Sequence, residues 1–184
     1  MAARDPLREW AEPRGLDADW LIDEAIVQNG AGPPEVAVVH PNGETCRRVL
    51  REQDGRLMWL AERGSRMKGA ALLLGERDPA GIGLAADTVV IVEGESDAFA
   101  ARAVLPPEIG VLSLPGAKMV GEGLATFVPH ALTVLVATDA DDAGDEAAAR
   151  ITSVLDPLVD DLRRLRPEPD LRDWLHAFPE PERK

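Results

Sequence analysis

Two apolar runs, TVVIV at 88–92 and LTVLVAT at 132–138, constrain this chain more than any other feature. Both are rich in β-branched residues, and neither alternates with polar ones. Such runs suit strands covered on both faces of a parallel sheet. Parallel neighbours need a crossover connection, usually a helix. Helical patterns fill the required places: SDAFAARAV at 96–104, EGLATFV at 122–128 and DAGDEAAARITSVL at 142–155. Ser96 and Asp142 are the expected N-caps of the first and last. IGVLSL at 109–114 and VDDLRRL at 159–165 read as further strands, the latter at an edge. DLRDWLHAF at 170–178 reads as a closing helix. Strand and helix alternate over 86–178, which predicts an α/β unit with a mostly parallel sheet flanked by helices.

Residues 1–85 follow another pattern. Leu7, Trp10, Leu16, Trp20, Leu21, Ile26 and Val27 carry helical spacing, punctuated by Pro13 and Gly15. After the loop at 29–34, strands are expected at 35–40, 45–52 and 56–61, with turns at PNG and Asp54-Gly55. The sequence therefore divides into a small N-terminal α+β piece (1–85), the α/β unit (86–178) and a short tail (179–184).

Acids gather where the strands of the α/β unit end. Glu93 closes the first buried run, with Gly94 allowing a tight turn and Asp97 one helical turn on. Asp139 and Asp141 follow the second, with Gly144 after them. Asp170 and Asp173 follow the last strand. Ligands of open α/β sheets bind beyond the carboxyl ends of the strands. Carboxylates clustered there call for a hard cation. Mg²⁺ takes oxygen ligands and shares itself with substrate phosphates, and Mn²⁺ is its chemical substitute. Taken one by one, these acids also fit helix capping, helix-dipole or ion-pair roles.

Composition prunes the chemistry. There is one cysteine, Cys46, so neither an internal disulfide nor a multi-cysteine zinc site is expected. The three histidines, His40, His130 and His176, lack metal-ligand spacing. The net charge of −13 argues against a surface that coats nucleic acid broadly. A local basic stretch survives within it: Arg47, Arg48, Arg51, Arg56, Arg63, Arg66 and Lys68, with Lys118 further on. Such side chains either line a phosphate path or form an ordinary solvated face. Trp10, Trp20, Trp59 and Trp174 read as packing residues, and Cys46 as a small apolar filler. GIGLAA at 81–86 precedes a strand instead of following one, which disqualifies it as a dinucleotide fingerprint. The first residues lack the apolar core of a signal peptide, and no run is long enough to span a membrane. A cytoplasmic setting is the expectation.

VVIVEGESDAFAA, VLVATDADDAG and PDLRDWL, in that order, resemble a Toprim domain of the type found in bacterial and phage DNA primases. LSLPGA at 112–117 is similar to the loop after the second strand of that family, and 47–72 resembles the basic subdomain that precedes Toprim in phage primases. The resemblance implies a Rossmann-like Toprim sheet with a small basic subdomain in front. It implies Glu93 as general acid/base and Asp139, Asp141, Asp97, Asp170 and Asp173 as metal ligands. The last pair departs from the family pattern, with Pro169 and Arg172 in place of a lysine and an asparagine. Arg47, Arg48, Arg63, Arg66, Lys68 and Lys118 become nucleotide or template contacts. Gly94 and Gly144 become structural turns.

The implied activity is Mg²⁺- or Mn²⁺-dependent primer synthesis from nucleoside triphosphates on single-stranded DNA, without zinc. A chain with no tyrosine cannot use the nucleophile of topoisomerases with this fold. The absence of a G-x-x-x-x-G-K-[ST] loop removes an ATPase partner domain from these residues. A phosphodiester nuclease and a non-catalytic replication module remain as alternatives. With neither a zinc-ribbon nor a helicase segment in the 184 residues, the chain reads as a minimal or split core. A replicative helicase or a separate template-recognition subunit is then the expected partner.

Overall fold

A computed structural model describes residues 5–24, 26–168 and 171–176. Helix α1 (Pro6–Ala11) is capped by Asp5, whose carboxylate accepts from the amides of Leu7 and Arg8. A 3-10 turn (Glu12–Arg14) leads to α2 (Ala18–Asp23), capped in the same way by Asp17. Strands β1 (Glu35–Val39), β2 (Thr45–Gln53) and β3 (Arg56–Ala61) form an antiparallel sheet in that order. These elements match the sequence expectation closely.

The second sheet contains β4 (Leu72–Leu74), β5 (Thr88–Glu93), β6 (Ile109–Leu114), β7 (Thr133–Ala137) and β8 (Asp161–Arg164), in the order β4-β6-β5-β7-β8. The last four strands run parallel, while β4 pairs antiparallel with β6. Strand β4 was not expected. Three leucines are too short a run to declare a strand without knowing their neighbour. β4 lies before residue 85, and a single bridge between Val39 and Ala71 links it towards β1.

Helices α3 (Gly94–Val104), α4 (Asp142–Leu155) and α5 (Leu171–His176) cover the sheet, with a 3-10 helix at Glu122–Phe127 where an α-helix was expected. Strand alternation sorts the buried side chains into two layers. Val90, Val92, Ala137, Phe99, Leu171 and Leu175 pack on one face together with the first sheet. Val89, Ile91, Val134, Val136, Ile151 and Leu155 pack on the other, under α4. Trp10, Trp59 and Phe99 meet edge to face, with centroids 5.5, 5.9 and 6.2 Å apart, the favoured geometry for aromatic quadrupoles. That triad joins α1, β3 and α3. Among the described residues, no helix is long and apolar enough to cross a membrane.

Candidate active site

From β5 the chain moves to β6 on one side and then to β7 on the other. The β5–β7 boundary is therefore the point where connections reverse direction, and the crevice beyond the carboxyl ends is a natural ligand site. Glu93 ends β5 at that point. Gly94 follows with φ +74°, a conformation costly for any residue bearing a Cβ, and the chain turns at once into α3. The helix thus starts two residues earlier than its sequence signal, and Glu93, not Ser96, occupies the N-cap position. The Glu93 side chain makes no cap hydrogen bond. Its Oε1 is buried with no hydrogen-bond partner among the described residues. Burial, and then the charges of Asp139 and Asp141, raise its pKa to about 7, with Arg164 opposing.

The acidic segment after β7 is held tightly. Thr138 is fully buried and donates to the Gly144 carbonyl at 2.7 Å. Asp141, not Asp142, caps α4: its Oδ1 accepts from the Gly144 amide at 2.8 Å. A Cβ on residue 144 would stand 2.1 Å from the Asp139 carbonyl oxygen, so only glycine lets the loop fold back on the helix. The glycine of this motif is explained by space, whereas Gly94 is explained by backbone conformation.

Among the described residues, no three His, Cys, Asp or Glu side chains converge closely enough to enclose an ion. Mg²⁺ keeps several waters and binds through one or two carboxylates plus substrate phosphates. The orphaned Glu93 oxygen beside Asp139 and Asp141 fits such an ion by donor chemistry. Asp97 is half-buried in the first turn of α3. Asp173 belongs to α5, while Asp170 lies outside the described residues.

The basic residues separate into three groups. Arg63, Arg66 and Lys68 are exposed in the loop between β3 and β4. Because β4 starts opposite the end of β6, this loop lies at the same sheet edge as Glu93. The Gly69 amide donates to the Met119 carbonyl at 3.1 Å, joining the loop to the 3-10 turn that bears exposed Lys118. Arg47 stands on the outer face of the first sheet, 2.9 Å from Glu35. Arg48 points the other way, into the protein, where it pairs with Glu95 and donates to the Trp59 carbonyl.

Residues 88–167 match the Toprim domain family. This part of the chain is a Toprim domain. Among curated proteins, none matches the sequence. In overall shape the chain is similar to the primase fragment of the bacteriophage T7 primase-helicase, at 18% identity and TM-score 0.56, over 89% of this chain and 68% of that one. It is also similar to a T7 primase domain seen with the phage lagging-strand polymerase and bound to an RNA/DNA hybrid and dTTP. There the identity is 19% and the TM-score 0.60, over 88% of this chain and 81% of that one. The Escherichia coli primase catalytic core gives 16% identity and TM-score 0.52, over 86% and 55%. At these identities the likeness establishes the fold.

Two residues of the Toprim domain escaped the sequence analysis. Glu95 is buried; desolvation raises its pKa, and the Arg48 guanidinium opposes that rise. Strand parity groups Arg48 with Leu50 and Cys46, but Val49 of the opposite parity is buried too, so parity alone does not turn Arg48 inward. Arg48, expected as a nucleotide or template contact, stands instead in a largely buried ion pair with Glu95. Arg164, on β8, reaches the backbone of the Asp139 segment, and nothing in its spacing announced that.

Proposed function

We propose that this chain is the Toprim-containing core of a primase-like nucleotidyltransferase that joins ribonucleotides on single-stranded DNA in the cytoplasm. The observation that carries the reading is the unpartnered, buried Glu93 oxygen at the switch point, beside the Asp139–Asp141 loop. Asp139 and Asp141 would hold Mg²⁺ or Mn²⁺, with Asp97, Asp170 and Asp173 as further ligands. Bound there, the ion supplies neutralisation of the triphosphate charge.

In the reaction, a 3′-hydroxyl attacks the α-phosphorus of the incoming nucleotide, and pyrophosphate leaves. Glu93, whose pKa burial and the two aspartates raise to about 7 in the metal-free chain, would take the hydroxyl proton. Arg63, Arg66, Lys68 and Lys118, exposed at the same sheet edge, would receive phosphates, with Arg47 further out on the first sheet. Residues 1–85 would act as the template-guiding piece and 86–178 as the catalytic one. The T7 primase domain bound to an RNA/DNA hybrid supports this assignment by its shared fold. A replicative helicase or a template-recognition subunit is the proposed partner.

The test mixes protein, single-stranded DNA, labelled ribonucleotides and Mg²⁺, beside an Asp139→Asn/Asp141→Asn double variant and a tube without nucleotides. Short labelled products that vanish in the variant are expected. DNA shortened without nucleotides would replace the proposal with a nuclease, and intact DNA with no product would replace it with a binding module.

A further inference from the structure

Arg164 belongs to the edge strand β8, yet its guanidinium lies under the acidic loop. Nη1 donates to the carbonyls of Val136 at 3.3 Å, Thr138 at 2.7 Å and Leu165. Nη2 donates to the Asp139 carbonyl at 2.9 Å and to Asp145 Oδ1 at 3.3 Å. One planar side chain thus ties the end of β7, the Thr138–Asp139 backbone and the first turn of α4. Backbone carbonyls leaving a sheet need partners, and here a single fork supplies them. Its side chain is only 22% exposed. Arg166 is 55% exposed and, among the described residues, reaches only Asp145 Oδ2, at 3.0 Å.

Coulomb's law alone makes this an odd place for an arginine. A guanidinium beside a cation site repels the cation. Its presence must be offset by something that charge does not provide. Geometry is the available candidate: four of its five acceptors are main-chain carbonyls, and two of those belong to Thr138 and Asp139. Asp145 meanwhile neutralises part of its charge.

We infer that Arg164 is a positioning residue, which clamps the Thr138–Asp139 backbone so that Asp139 and Asp141 face the switch point ready for a divalent cation. The inference rests on the reading of those acids as a metal site. It assigns the cost of ordering the loop to folding, before any cation arrives. A lysine cannot replace the fork, because its ammonium is a point donor on a flexible stem.

Mn²⁺ binding, followed by water-proton relaxation, and metal-free hydrogen exchange of the amides at 138–145 test the inference in the full chain. Arg164→Met and Arg164→Lys should both bind Mn²⁺ at least tenfold more weakly than the parent. In both, amides 138–141 should exchange at least tenfold faster, while Arg166→Met stays within twofold of the parent on both readouts. If the guanidinium acts only through its charge, Arg164→Met would bind Mn²⁺ more tightly and Arg164→Lys would match the parent; that pattern overturns the inference. Should Arg164→Met fail to fold, Arg164→Lys decides, since parental affinity and exchange in that variant also overturn it. A parent chain that binds no Mn²⁺ would overturn the metal-site reading itself, and the inference with it.

Discussion

Glu93 carries a stability signature that can be read without any substrate. Its pKa in the folded, metal-free protein is about 7 against an ordinary 4.5, chiefly because burial disfavours the charged form. Between those values the folded state holds the proton that the unfolded chain has released. Stability therefore falls as pH rises from about 4.5 to 7, and levels off above. Urea midpoints of the metal-free parent should decline across that window relative to Glu93→Gln, and parallel profiles would remove the raised pKa. Gly144 makes a sharper demand, since a Cβ would collide with the Asp139 carbonyl at 2.1 Å. Gly144→Ala should cost about 1–3 kcal/mol, the usual toll of overpacking, in urea unfolding. An unchanged midpoint would mean the loop does not fold back on α4 as described. Arg48 and Glu95 form the third residue-level case. Removing one partner of a buried pair strands the other, at about 3–5 kcal/mol. Arg48→Met and Glu95→Gln should each show that loss, and the double variant should recover much of it. Losses that simply add would show that the two side chains do not depend on each other.

At the scale of elements, the strand-to-helix connections fix where the acids stand. β5 passes into α3 through one left-handed glycine, and β7 passes into α4 through a loop closed by Thr138, Asp141 and Gly144. α3 is also locked from behind, where Phe99 meets Trp10 of α1 and Trp59 of β3. Phe99→Ala should therefore cost about 3–5 kcal/mol. It should speed hydrogen exchange in α1 and β3 as well as in α3. Loss confined to α3 would show that the first sheet and the Toprim domain are energetically separate. Helix ends were the least legible elements. The expected caps at Ser96 and Asp142 each give way to an acid upstream, three residues earlier for α3 and one for α4. Both shifts follow from backbone geometry at a glycine, which a propensity pattern does not encode.

Taken whole, the molecule sets a basic loop against an acidic background of net charge −13. Arg63, Arg66 and Lys68 stand at the sheet edge that carries Glu93, so anionic ligands would be drawn there and repelled elsewhere. Replacing all three by glutamine should weaken single-stranded DNA binding and lower the salt dependence of log K by about 2, given about 0.7 per phosphate contact. An unchanged slope would move the nucleic-acid path to another face. The α/β alternation, the edge where the acids gather and the position of both key glycines were legible in the sequence. Each depends on near neighbours: apolar period, strand ends, turn residues. Three things were decided only in three dimensions. β4 needed β6 beside it to become a strand. Arg48 needed the buried Glu95 to draw it inward. Arg164 needed the β7 carbonyls across a strand boundary. All three involve partners more than twenty-five residues apart, and their energies exist only once the chain has brought those partners together.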